Sequence, residues 1–106
     1  MGFFDFLKQP DIHQGVADWE ATAGAVLLDV RTAEEYAQGH IPGSINIPLQ
    51  SLKAVETAVS DKETPLFVYC RSGNRSRQAV DILKAMGYSH ATNIGGILAW
   101  SGKVEK

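Results

Sequence analysis

Short apolar runs alternate along the chain with segments in which apolar residues recur every three or four positions. Residues 25–30 and 66–69 are almost continuously apolar, which predicts two buried parallel strands. Shorter runs over 44–47 and 91–94 predict two further strands. Because these strands alternate with helical segments, the pattern favours a parallel sheet that helices cover on both faces.

The helical segments are marked by caps as well as by periodicity. A capping box over residues 32–35 predicts a short helix that ends at Gly39. Helical spacing of apolar residues predicts a helix over 49–59, a longer one over 75–87 and a last turn over 97–100. The segment before residue 25 is also helix-like. The positions at which we expect these helices to contact the core are Val16, Trp19, Ala79, Val80, Ile82, Leu83 and Met86.

The composition fits one globular domain over residues 1–106. A net charge of −2 and a pI near 5.8 give no support for nucleic-acid binding. A single cysteine cannot form an internal disulfide, and no apolar stretch reaches the ~20 residues of a membrane span, so we expect a cytoplasmic protein. Three of the four phenylalanines lie within residues 1–8, which we interpret as a short turn packed on the core rather than as a membrane-surface anchor.

The single cysteine, Cys70, follows the second buried strand and opens a loop with the sequence Cys-Arg-Ser-Gly-Asn-Arg-Ser over residues 70–76. Three of the four arginines lie within seven residues of it. Backbone N–H groups of such a loop, and the start of the helix that follows, converge on the sulfur, and Arg71 and Arg75 add full charges. This setting lowers the pKa of a thiol from about 8.5 and favours the reactive thiolate. We therefore predict that Cys70 is a nucleophile.

Two charged residues, Asp29 and Arg31, lie at the end of the first buried strand. In parallel sheets the ligand site lies beyond the carboxyl ends of the strands, so this pair is placed to share a pocket with Cys70. The histidines show no motif that places them beside the cysteine, and we interpret them as non-catalytic. A thiolate that exists at neutral pH needs no histidine base.

The loop over residues 70–76 resembles the active-site loop of rhodaneses, the thiosulfate sulfurtransferases. The segments 27–36 and 39–44 are similar to the N-terminal signature of that family, and 93–100 is similar to its C-terminal signature. The resemblance therefore extends over about residues 25–100. It implies a three-layer α/β fold with about five parallel strands between helices, and it implies no metal or cofactor.

The resemblance also implies a ping-pong sulfur transfer through Cys70. Its thiolate attacks the outer sulfur of a small anionic donor such as thiosulfate, sulfite leaves, and the persulfide passes its sulfur to cyanide, a small thiol or a protein thiol. Arg71 or Arg75 is expected to bind the donor anion. Asp29 and Arg31 are expected to orient the loop, although a purely structural pair fits equally well, and Arg77 is interpreted as a surface residue. The loop residues expected to bind substrate and persulfide are Arg71, Ser72, Gly73, Asn74, Arg75 and Ser76.

Other functions compete with this one. One alternative is a cysteine phosphatase or arsenate reductase. Cysteine phosphatases of related fold place five residues between cysteine and arginine, whereas four separate Cys70 from Arg75, which suits a single sulfur atom better than phosphate. A non-catalytic regulatory module usually lacks the cysteine. A sulfur carrier that hands its persulfide to a protein partner shares the chemistry and stays open. Redox sensing through a sulfenic acid is favoured by no feature of the sequence.

Overall fold

The computed structural model describes residues 9–106, and the phenylalanine-rich segment 1–8, with its predicted N-terminal turn, lies outside the described residues. The helices are α1 (Ile12–Ala21), α2 (Ala33–Gln38), α3 (Val55–Ala58) and α4 (Asn74–Ala85). The strands are β1 (Val26–Asp29), β2 (Ile45–Asn46), β3 (Leu66–Cys70) and β4 (Ala91–Gly96). Two 3₁₀-helices cover Leu49–Ala54 and Ile97–Ala99.

The strands form one parallel sheet in the order β2-β1-β3-β4. The predicted α/β fold is therefore confirmed, but residues 9–106 contribute four strands and not the five that the resemblance implies. Outside the sheet, His40 and Glu105 form an isolated antiparallel bridge with backbone hydrogen bonds of 2.8 and 2.9 Å. This bridge does not amount to a further strand, because a strand is a run of several paired residues.

Side chains of the central strands alternate between two cores, one on each face of the sheet. On one face, Leu28 and Val68 pack in a cluster with Leu83 of α4. On the other face, Leu27 packs in a cluster with Val16 of α1. Both faces of β1 and β3 are thus buried, which explains why their sequences are almost continuously apolar. The layers are helix, sheet and helix.

The capping box at the start of α2 is confirmed. Thr32 Oγ1 accepts a hydrogen bond from the Glu35 backbone N–H at 3.2 Å, and Glu35 Oε1 accepts one from the Thr32 N–H at 3.0 Å. These reciprocal bonds satisfy N–H groups that the start of a helix leaves unpaired. Gly39 is the C-cap, as the sequence predicts.

Two helical predictions are wrong in detail. Residues 49–59 do not form one helix, because the 3₁₀-helix Leu49–Ala54, with non-helical dihedral angles at Ser51, precedes α3. Ile82, predicted to face the core, is 44% exposed. The buried side chains of α4 are Ser76, Ala79, Val80 and Leu83. Ile82 lies outside this stripe, which includes a serine that apolar periodicity cannot reveal.

Candidate active site

Cys70 ends β3, and the chain then turns through a short loop into α4. Gly73 allows this turn, because its φ of +101° lies in the left-handed region that side chains disfavour. The turn brings the Gly73 N–H to 3.0 Å from Cys70 Sγ. A glycine is also required at Gly96 of β4, since a Cβ there would lie 2.2 Å from the Arg71 carbonyl oxygen. The loop is therefore shaped by its own sequence and supported by the neighbouring strand.

The Cys70 sulfur lies among hydrogen-bond donors, and only 1% of the residue is exposed. Its Sγ accepts from the Gly73 N–H and from the Ser76 hydroxyl at 3.4 Å. Burial by itself raises the pKa of the Cys70 thiol, but the Ser76 hydroxyl and the loop N–H groups outweigh burial and hold this pKa below its ordinary value. The arrangement therefore favours a sulfur that carries negative charge.

A side chain from β4 completes the polar surroundings of the sulfur. The Ser76 hydroxyl lies 2.7 Å from Asn93 Oδ1, and Asn93 Nδ2 donates to the Gly73 carbonyl oxygen at 3.3 Å. Sequence analysis assigned no role to Asn93. The signal that points to it is its position, because it is an amide near the carboxyl end of a strand, where ligand sites of parallel sheets lie.

Arg75 is held by an ion pair with Glu35 of α2. Its Nη1 lies 2.7 Å from Glu35 Oε1 and its Nη2 lies 2.9 Å from Oε2. The hydrogen bonds from Arg75 lower the pKa of Glu35 to about 2. Arg75 is also close enough to Cys70 for their charges to interact. Its charge therefore acts on the sulfur while its guanidinium is occupied by a carboxylate.

An open cavity of about 570 Å³ borders the loop. Ser72, Asn74 and both Arg71 and Arg77 contribute to its wall, together with Leu98, which follows β4 and is 64% exposed. Along the part of the wall formed by residues 9–106, the two arginines are the charged groups. The cavity therefore attracts anions.

The Asp29–Arg31 pair is buried, and the side-chain hydrogen bonds that link it to other residues involve Gly39 and Asn46, outside the loop. Arg31 Nη2 lies 2.7 Å from Asp29 Oδ2, and the same nitrogen donates to the Gly39 carbonyl oxygen at 2.7 Å. Asn46 Nδ2 donates to the backbone carbonyl oxygens of both Asp29 and Arg31 at 3.0 Å. These contacts connect the end of β1 to the end of α2 and to β2. In the register of the sheet, Asp29 stands opposite Tyr69, one residue before Cys70.

Comparison with known proteins identifies the family. Residues 12–103 match the sequence profile of the Rhodanese-like domain. The chain belongs to the rhodanese-like family. The α/β fold with a parallel sheet agrees with the family that the sequence resembles.

Relatives of this rhodanese-like domain include named sulfurtransferases. The chain is 49% identical over 71 residues to the thiosulfate sulfurtransferase PspE of Escherichia coli, covering 66% of this chain and 68% of PspE. It is 41% identical over 98 residues to the adenylyltransferase and sulfurtransferase uba4 of Ogataea parapolymorpha, covering 92% of this chain but only 25% of uba4. The solved structure of a rhodanese with anions from E. coli has a TM-score of 0.72 at 43% identity, covering 77% of this chain and 98% of that chain.

The histidines of this rhodanese-like domain contact residues outside the loop. His13, His40 and His90 contact Ser101, Tyr36 and Glu63, respectively. The His40 ring stacks on Tyr36 with ring centres 3.7 Å apart.

Across residues 9–106, the structure contains no helix that combines the length and the apolar character needed to cross a membrane.

Proposed function

We propose that this rhodanese-like domain moves sulfane sulfur from thiosulfate, or from a persulfide donor, to a thiophilic acceptor through a persulfide on Cys70. The observation that carries the proposal is the sulfur environment. Cys70 Sγ accepts hydrogen bonds from the Gly73 N–H at 3.0 Å and from the Ser76 hydroxyl at 3.4 Å, and the pKa of its thiol lies below the ordinary value. Sulfurtransferase relatives support the same reaction class.

The first half-reaction forms the persulfide. The Cys70 thiolate attacks the outer sulfur of thiosulfate, a new S–S bond forms, and the S–S bond of the donor breaks. Sulfite leaves with the electron pair of that bond, and the outer sulfur on Cys70 carries the negative charge. The same loop N–H groups that stabilise the thiolate are placed to stabilise the anionic persulfide.

The second half-reaction returns the enzyme to its starting state. A thiolate or cyanide attacks the outer sulfur, the persulfide S–S bond breaks, and its electron pair returns to Cys70 as thiolate. The chain has one cysteine and thus no resolving thiol of its own, so the acceptor comes from outside the chain. In this proposal it acts as a single domain over residues 1–106 in the reducing cytoplasm.

Donor binding is assigned to Arg71 and Arg77 rather than to Arg75. The first two border the 570 Å³ cavity, whereas both terminal nitrogens of Arg75 are bonded to Glu35. A doubly charged donor is attracted by the pair of guanidinium groups, each of which offers two parallel N–H groups to an oxyanion. Ser72 and Asn74 contribute polar atoms to the same wall.

The size of the cavity favours an acceptor larger than cyanide, which keeps a sulfur carrier acting on a protein thiol as the second candidate function. The open cavity of about 570 Å³ has more room than thiosulfate, with its five heavy atoms, occupies. Leu98 adds an exposed apolar surface beside it. Both candidates share the Cys70 persulfide and differ in the acceptor.

The test is the intact mass of the protein after incubation with thiosulfate and then with cyanide, with Cys70→Ser as the matched control. We expect a gain of one sulfur atom that cyanide removes, and no gain in Cys70→Ser. Absence of the gain in the parent chain, or an equal gain in Cys70→Ser, contradicts the proposal. If the chain instead hydrolyses an aryl phosphate, and this activity depends on Cys70, the phosphatase function replaces the sulfur-transfer proposal.

A further inference from the structure

The hydroxyl of Ser76 is buried and has three acceptors within hydrogen-bond distance, which is more than its single proton can satisfy. Its Oγ lies 2.7 Å from Asn93 Oδ1, 3.1 Å from the Gly73 carbonyl oxygen and 3.4 Å from Cys70 Sγ. A hydroxyl carries one proton and therefore donates one full hydrogen bond at a time. The three contacts are thus alternatives, and the shortest is to Asn93.

The orientation of the Asn93 amide is fixed by two backbone groups. The Gly95 N–H donates to Oδ1 at 3.0 Å, and Nδ2 donates to the Gly73 carbonyl oxygen at 3.3 Å. Exchanging the oxygen and nitrogen would place two donors face to face at Gly95 and two acceptors face to face at Gly73. Oδ1 therefore faces Ser76, and Ser76 is the donor in that contact.

A β-bulge places Asn93 in this position. Val68 pairs with Asn93, but the next residue of β3, Tyr69, pairs with Gly95, so Ile94 is an additional residue in β4. Gly95 follows the additional residue with a φ of +107°, a left-handed conformation that favours glycine. Ile94 packs in the core on the α1 face, while the Asn93 side chain meets Ser76 at the start of α4.

We infer that Asn93 is a positioning residue for the sulfur. Its Oδ1 accepts the hydrogen bond of the Ser76 hydroxyl while Cys70 is a neutral thiol, and the hydroxyl donates to the sulfur instead when the sulfur becomes anionic. A neutral thiol is a weak acceptor, so the proton stays on the shorter bond to Oδ1. A thiolate or persulfide is charged and accepts more strongly, so the hydroxyl turns to it. Oδ1 then keeps the Gly95 N–H as its donor.

The direction of the effect follows from which state Asn93 stabilises. Its bond to Ser76 exists mainly in the thiol state, so removing the Oδ1 acceptor destabilises the thiol relative to the thiolate. Replacement of Asn93 by an apolar residue should therefore lower the pKa of Cys70, whereas removal of the Ser76 hydroxyl should raise it. The size expected for one neutral hydrogen bond is about half a pKa unit to one unit.

Charged groups on the elements around the sulfur must stay unchanged in the test, and Arg75 among them interacts with the charge of Cys70. They are Arg71, Arg75 and Arg77 on the loop and α4, Asp29 and Arg31 at the end of β1, and Glu35 on α2. Substitutions confined to Ser76 and Asn93 leave all of them in place. The comparison between variants therefore isolates the hydroxyl and the amide.

The experiment is a titration of Cys70, the only thiol of the chain, by the pH dependence of its alkylation with iodoacetamide and by thiolate absorbance. The variants are Asn93→Leu, Ser76→Ala and the double variant, with Thr92→Leu as the control at an exposed position of the same strand. We expect Asn93→Leu to lower the pKa, Ser76→Ala to raise it, and Asn93→Leu to have no effect in the Ser76→Ala background. Thr92→Leu should leave the pKa unchanged.

An unchanged or raised pKa in Asn93→Leu overturns the inference, and so does an equal effect of Asn93→Leu with and without the Ser76 hydroxyl. If Asn93→Leu does not fold, the isosteric Asn93→Asp serves instead. Its carboxylate holds the Ser76 proton more strongly, so it should raise the pKa of Cys70 more in the parent chain than in Ser76→Ala. An equal rise in both backgrounds would contradict the inference.

The inference deepens the proposed function and rests on it only for the persulfide state, and the two fail separately. Alkylation titrates the thiol whether or not sulfur is ever transferred. A chain that gains no sulfur from thiosulfate but shows the expected Asn93 effect would contradict the proposed function alone. A chain that gains sulfur but shows no coupling between Ser76 and Asn93 would contradict the inference alone.

Discussion

Glu35 of α2 and Arg75 of α4 face each other with two parallel hydrogen bonds, Nη1 to Oε1 at 2.7 Å and Nη2 to Oε2 at 2.9 Å. Glu35 is also the capping-box residue of α2, where Oε1 accepts the Thr32 N–H. One carboxylate therefore stabilises the start of its own helix and also binds Arg75, which lies in the first turn of α4, the helix that follows the Cys70 loop. Both terminal nitrogens of Arg75 are bonded to this carboxylate, which is the reason why the proposal assigns donor binding to Arg71 and Arg77.

The first prediction concerns donor binding. Arg71→Ala and Arg77→Ala should each raise KM for thiosulfate by about tenfold with a smaller change in kcat, because each removes a charge that binds the donor before the reaction. Steady-state kinetics at low and moderate ionic strength measure this, and the effect should shrink as salt screens the charges. A larger rise of KM in Arg75→Ala than in both other variants would show that Arg75, and not Arg71 or Arg77, is the main residue that binds the donor anion.

The second prediction is a pH dependence of stability that arises from Glu35. Its pKa is about 2 in the folded chain against an ordinary value of 4.5, so the folded state binds this proton more weakly than the unfolded state. The stabilisation is therefore fully present above about pH 4.5 and is lost as pH falls toward about 2. Urea unfolding of the parent chain and of Glu35→Gln should give free energies that differ near neutral pH and converge in acid. A difference that stays constant down to about pH 2.5 would contradict the assignment.

The third prediction separates a structural from a catalytic role for Asp29 and Arg31. Arg31→Met leaves the Asp29 carboxylate buried without its partner, and loss of one member of such a pair costs about 3–5 kcal/mol of unfolding free energy. Sulfur loading per folded molecule should remain close to that of the parent chain, because the pair contacts Gly39 and Asn46 rather than the loop. Denaturant unfolding and intact mass measure the two quantities. Unchanged stability with lost loading would show a direct role in the reaction.

The sequence predicts the parts of the site that depend on neighbouring residues. Cys70 ends an apolar run that is buried on both faces, and the loop conformation follows from Gly73 and the helix start. The capping box was equally predictable, since Thr32 and Glu35 are three residues apart. Short-range sequence patterns were sufficient here, because the contacts between Cys70 and Gly73 and between Thr32 and Glu35 each join residues three positions apart.

Contacts between distant segments could not be predicted in this way. Arg75 meets Glu35 across 40 residues, and Ser76 meets Asn93 across 17. Both contacts depend on the strand order, and the second also on a β-bulge that adds Ile94 to β4. Periodicity indicates that a residue faces a sheet, but it does not indicate which side chain it meets there. The expectation that Arg71 or Arg75 binds the donor therefore stays a prediction, because the contact between Arg75 and Glu35 is not visible in the sequence.

The fourth prediction tests the support that β4 gives to the loop. Gly96→Ala should reduce both the unfolding free energy and sulfur loading, because its Cβ would lie 2.2 Å from the Arg71 carbonyl oxygen and 2.6 Å from Ser72 Cα. These are backbone atoms, so the loop itself must move, and the Gly73 N–H moves with it. Gly24→Ala is the matched control, since Gly24 has a φ of +77° but no heavy atom within 4 Å of its Cβ position.

The control should lose about 1 kcal/mol of stability from backbone strain, with sulfur loading unchanged. Gly96 has an ordinary φ of −128°, so its substitution introduces a contact and no strain at the residue itself. Thiosulfate loading followed by mass, together with urea unfolding of both variants, separates contact from strain. Equal loading in the parent chain and Gly96→Ala would mean that the loop holds its shape without β4, and that the Cys70 sulfur depends only on the sequence of residues 70–76.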